Sequence, residues 1–172
     1  MSPETHIACF GCGALVPNTE GPTHAYIGAP PGCWAIYTSI LEREYGEFRN
    51  PPCHRLTVDS YAAQHPGVPS RRSIQSVAVH LVSLHLVLEL AFDHQEATRA
   101  LAKFTGNGVP YIWIEPPTAP DWLTVVDVCG APDLTEHERR VIRWARSVWD
   151  AWSEHHDTVR SWASRSLDLN RG

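Results

Sequence analysis

Lysine is nearly missing from this 172-residue chain: of its fourteen basic residues only Lys103 is lysine, a bias that reads as genome composition. Basic charge is scarce as well. The densest runs, Arg71-Arg72 and Arg139-Arg140, are pairs, and the formal net charge is -5. A chain with no basic stripe is poorly suited to gripping phosphates, which argues against nucleic acid as a partner. Long apolar runs are missing too. The most apolar stretch, Val77 to Phe92, contains His80, Ser83, His85 and Glu89. It is shorter than the roughly 20 residues a bilayer span needs, so it reads as a core helix and no membrane partner is expected. Met1 to Cys9 carries Glu4 and His6 and no apolar run, which is unlike a signal peptide. The expected location is therefore cytoplasmic, with reduced thiols. No paired catalytic carboxylates, nucleophile elbow, phosphate-binding glycine loop, internal repeat or low-complexity segment is present.

What is present fits one globular domain over residues 1–172, with 43% hydrophobic and 19% charged residues. Residues 1–31 read as a knuckle with loops, punctuated by Pro17, Gly21-Pro22, Gly28 and Pro30-Pro31. Residues 32–104 read as helices. The first runs from Gly32 to Tyr45, the second from His54 to Gln64, the third over 70–92 with Ser70 as N-cap, and the fourth from Asp93 to Phe104. Residues 105–134 form a Pro/Gly-rich excursion broken by Gly106, Gly108, Pro110, Pro116-Pro117 and Pro132, with extended pieces expected at Tyr111–Ile114 and Leu123–Val128. Thr135 and Glu138 match a capping box opening a long last helix through 165, whose buried stripe is Trp144, Val148, Trp152, His155, Val159 and Trp162. The predicted fold is mainly α: a bundle of about four to five helices behind an N-terminal knuckle, with the excursion between the last helices.

Five cysteines in a reducing compartment point to metal more than to disulfides. Cys9-Phe-Gly-Cys12-Gly13 turns both sulfurs toward one centre, and zinc would complete a tetrahedron with two further Cys or His. With no second Cys-x-x-Cys, those ligands must come singly. His24 and Cys33 are the nearest candidates, followed by Cys53 and His54. Free thiols are the bland alternative, and a redox pair would need a strand-to-helix setting that the surrounding Gly-Pro loops do not offer. Cys129, after a Val-rich run, reads as a buried hydrophobe.

Ten histidines make a second site conceivable. His6, His94 and His137 fall in the tail or at helix starts and are expected in solvent. His54 and His65 share a helix face, but the helical rise sets them about 16 Å apart, too far for one ion. His80 and His85 point in different directions. A composite catalytic site would take His54 and Asp59 from the second helix, His80 from the third, and His155 or His156 from the last. A core histidine satisfied by a carbonyl or carboxylate is the simpler reading of each residue alone.

These same residues carry a resemblance. Cys9-x-x-Cys12-Gly-Ala, Pro22-Thr-His24-Ala-Tyr26, Gly32-Cys33-Trp34, His54-Arg-Leu-Thr-Val-Asp59, Gln64-His65-Pro66, Pro69-Ser-Arg-Arg72 and Ser76-Val-Ala-Val-His80 resemble an uncharacterised bacterial family, domain of unknown function 5946, over nearly the whole chain. The resemblance ties His24, Cys33, His54, Asp59, His65 and His80 to motif positions and leaves Cys53, His85 and Cys129 outside them. It implies no activity. The expected helical arrangement is also similar to metal-binding DinB-type four-helix bundles. Two functions are thus expected to compete. One is a zinc-binding protein that engages a small-molecule or protein partner without chemistry. The other is a metal-dependent hydrolase or transferase with its His/Asp site inside the bundle. A zinc-knuckle transcription factor is disfavoured by the acidic balance.

Overall fold

The computed structural model describes residues 5–104, 109–118 and 120–168. The outermost residues of the knuckle segment, the glycines Gly106 and Gly108 of the excursion and the last four residues lie outside them. The chain opens with a hairpin of β1 (His6–Ala8) and β2 (Leu15–Pro17), paired antiparallel with Ile7 opposite Val16. Helices α1 (Pro31–Tyr45), α2 (His54–Gln64), α3 (Arg71–Leu88) and α4 (His94–Phe104) follow. After the excursion come a single turn, α5 (Val125–Val128), then α6 (Leu134–Ala151), a 3-10 turn (Ser153–His155) and α7 (His156–Asp168). The architecture is the mainly helical bundle expected. No described helix is long and apolar enough to cross a membrane.

Local chemistry sets most boundaries. Pro31 enters α1 at its first turn, where a missing N–H costs nothing. Ser70 accepts from the Ser73 amide, and the Ser73 hydroxyl accepts in return from the Ser70 amide, closing a reciprocal cap on α3. Asp93 and Glu96 cap α4 in the same way. The core lies where α2 packs on α3 and α6, and α3 on α7. Trp144 and Trp152 fill it with no exposed surface. Gln64 fixes Trp144 there: its side-chain oxygen accepts from the indole N–H at 2.9 Å, and its amide donates to the Leu123 carbonyl.

Four expectations need correction. The piece at 123–128 contains α5, because Thr124 and Asp127 cap a helical turn. The last helix starts two residues early, since Asp133, and not Thr135, accepts from the Glu136 amide. It also breaks: the Trp152 amide bonds back to the carbonyls of Val148 and Trp149, ending α6 so that the apolar stripe continues on α7. Cys129 is exposed at the α5 C-terminus, not buried.

Candidate metal centre

The hairpin turn places the first two sulfurs. The Cys9 amide donates to Ala14 O and the Gly13 amide to Cys9 O, both at 2.8 Å, which tightens the turn around Cys9 and Cys12. Gly13 takes φ +80, a left-handed conformation that glycine adopts without strain. Cys33 comes from the first turn of α1, held against the hairpin because Gly32 has no side chain to strike the Pro17 carbonyl. The fourth group is His65, the residue that terminates α2. Its Nδ1–H donates to Tyr61 O at 2.6 Å, which leaves the Nε2 lone pair facing the thiols.

The four side chains converge in a dry place. Cys9, Cys12, Cys33 and His65 are all buried, and their ligand atoms lie within 4.8 Å of one another. His65 Nε2 is 3.4 Å from Cys9 Sγ and 3.5 Å from Cys33 Sγ, and Cys12 Sγ is 3.9 Å from Cys33 Sγ. The Tyr61 hydroxyl donates to Cys33 Sγ at 3.6 Å, and the tyrosine ring stacks on Tyr37. The excursion closes the outside, with the Trp122 indole N–H donating to Cys12 O at 2.9 Å. Gly28 N–H donates to His65 O, and Gly11 packs against the His65 imidazole.

Electrostatically the cluster calls for a cation. Contacts from Cys12 and then Cys33 hold the Cys9 thiol far below its ordinary value, and burial opposes them. Cys12 is pushed far up by Cys33 and Cys9 and by burial. Cys33 is drawn down by Cys12, but Cys9 and burial push it up to about 12. One thiolate is tolerated here and a second is repelled, whereas a divalent ion would accommodate several.

The structure therefore brings Cys9, Cys12 and Cys33 together and completes the group with His65. It leaves His24 outside, where the ring lies against Tyr26 and Trp34 with centroids 4.4 and 5.4 Å away. Proximity in sequence favoured His24; the end of α2 delivers His65 instead. Pro66-Gly67 marks His65 as the end of α2, but nothing local in the sequence says that this helix end meets the cysteines.

The other histidines separate into distinct settings. His54 Nδ1 and His137 Nε2 bond the two oxygens of Glu44 at 2.6 and 2.7 Å, and Thr57 donates to the same carboxylate. His137 is thus buried, contrary to the solvent position expected of it. Glu44, Cys53 and His137 also gather metal-capable atoms within 4.8 Å, but the Glu44–His137 spacing is that of a hydrogen bond already made. His80 Nδ1 pairs with Asp59 Oδ1 at 2.8 Å. His155 and His156 do not join His54, Asp59 and His80. Their Nε2 atoms bond Glu115 O and Trp149 O, and His156 stacks on Trp149. Among the described residues, neither group of three or more convergent metal-capable atoms includes Asp59 or His80.

Residues 7–153 match the model of a family described as Family of unknown function (DUF5946), and the chain belongs to that family. No curated protein and no solved structure matches it.

Proposed function

We propose that this DUF5946 member binds one zinc ion at Cys9, Cys12, Cys33 and His65, and that the ion fastens the N-terminal hairpin to α1 and the end of α2. One observation carries the reading. Tetrahedral zinc with bonds of about 2.3 Å to sulfur and about 2.0–2.1 Å to nitrogen sets sulfur–sulfur edges near 3.8 Å and sulfur–nitrogen edges near 3.5 Å. Three of the six edges are close to these values, 3.9 Å between Cys12 and Cys33 and 3.4 and 3.5 Å from His65 to Cys9 and Cys33, and all six lie within 4.8 Å. The two clusters differ in composition: three thiols and an imidazole here, against one carboxylate, one thiol and one imidazole at Glu44, Cys53 and His137.

The donor set suits zinc better than calcium or magnesium, which take hard oxygen ligands. Four protein ligands in a buried pocket leave no position for water, the pattern of a structural site. Tyr61 supports the metal twice, through its carbonyl on His65 and its hydroxyl on Cys33. Elemental analysis of the purified protein tests the proposal: one equivalent of zinc is expected, falling below stoichiometry in Cys12→Ser and His65→Ala and persisting in His24→Ala. Full zinc in His65→Ala, or none in the parent protein, would overturn it.

A further inference from the structure

Between α2 and α3 the described residues hold a second constellation, independent of the cysteine cluster. Asp59 is 1% exposed. Its Oδ1 accepts from His80 Nδ1 at 2.8 Å and its Oδ2 from the Ser83 hydroxyl at 2.5 Å. The Ser83 oxygen in turn accepts from Arg55, whose guanidinium also reaches Thr98. Both carboxylate oxygens are thus engaged within the protein, and Asp59 serves to orient His80. With Nδ1 committed as a donor, the neutral ring carries its lone pair on Nε2. The His80 side chain is 23% exposed and lines two hollows, of about 520 and 420 Å³, which meet at it.

The lining of these hollows is electrically one-sided. Arg72 stands in one and Arg55 in the other, and the one carboxylate among the described lining residues is the buried Asp59. In a chain of net charge -5 this is a local reversal of sign. We propose that the two hollows form a second site that binds a small molecule bearing an oxyanion group and a hydroxyl, the hydroxyl donating a hydrogen bond to His80 Nε2. Asp59, by holding Nδ1–H, keeps the lone pair on Nε2 available to accept from that hydroxyl. Arg72, on the open side, meets the oxyanion.

The test uses the full chain as purified. Carbethoxylation of histidine by diethyl pyrocarbonate, read by peptide mass spectrometry, reports an accessible nucleophilic ring nitrogen. Inorganic phosphate and acetate are the two oxyanion probes. His80 is expected to label, and saturating probe is expected to slow its labelling about tenfold while His6 is unaffected. In Arg72→Gln about tenfold more probe is needed, the effect of one lost charge-assisted hydrogen bond. Protection by phosphate alone supports a phosphate ester as ligand, protection by acetate alone a carboxylate, and protection by both the oxyanion class as a whole. Asp59→Asn, which frees the ring to place its proton on Nε2, is expected to slow labelling at His80 with helicity retained. An unreactive His80, labelling indifferent to both anions, or protection unchanged in Arg72→Gln would each overturn the proposal. None of these outcomes bears on the zinc content.

Discussion

Removing the proposed ion is the perturbation whose consequence the structure defines most closely. The hairpin has three paired residues per strand, a size that is marginal at best on its own. Phe10 and Leu15 are 75% and 68% exposed, so Val16, fully buried, is its main apolar anchor. Burying one valine contributes about 1.5–3 kcal/mol, about what fixing the backbone of one or two residues costs. On the proposed reading the ion supplies the larger share, since metal binding in small structural sites contributes on the order of 10–16 kcal/mol. If about 5 kcal/mol of that reaches the global fold, a domain of this size loses about 10–20 °C of midpoint on chelation. Thermal unfolding with and without a strong zinc chelator measures the shift, and hydrogen exchange locates it. Exchange should accelerate at Cys9, Gly13 and Gly28, whose amides bond within the hairpin or to His65, and remain slow in α3 and α6. An unchanged midpoint together with unchanged protection over 5–17 would refute the reasoning.

Gly11→Ala should abolish stoichiometric zinc in elemental analysis, because a Cβ there would run into the His65 ring and lie 2.7 Å from the Gly28 carbonyl oxygen. Gly13→Ala meets nothing within 4 Å and should retain zinc, losing only about 1–2 kcal/mol to left-handed backbone strain, readable in urea unfolding. For Glu44, burial raises the carboxyl, but hydrogen bonds from His137, His54 and Thr57 together bring it below its ordinary value of 4.5. A depressed folded value means stability that is present above pH 4.5 and lost as pH falls through the folded value. Glu44→Gln should cost about 3 kcal/mol at neutral pH and flatten the acid limb of the stability curve; an unaltered acid limb would count against the network. Glu89 is held at about 2, chiefly by the Arg160 guanidinium, so its contribution fades only between pH 4.5 and about 2. Arg160→Ala should move its carboxyl titration upward, as followed by carbon NMR.

The helices through α4 were legible because their caps and stops are local: Ser70, Asp93, Gly46 and the run after Gln64 announce themselves within a few residues. The break at Trp152 was not, since helical spacing runs through it without interruption while the packing of the buried indole turns the chain. In the site, Cys9 and Cys12 are legible from their own turn. His65 is not, because only the docking of α2 against the hairpin decides which histidine arrives. The argument that His54 and His65 cannot share an ion agrees with the geometry, yet says nothing of which one meets the cysteines. His137 looked solvated at a helix start; Glu44, 93 positions away in sequence, draws it inward.

The four proposed ligands are spread along more than fifty positions, with Cys33 and His65 32 apart and Cys9 and His65 56 apart. A nascent chain that has emerged only through α1 carries the three proposed cysteine ligands but lacks His65, and cannot close the proposed coordination sphere. Tight metal capture is then a late event that reports the arrival of α2, and its rate in stopped-flow mixing becomes a clock for tertiary assembly.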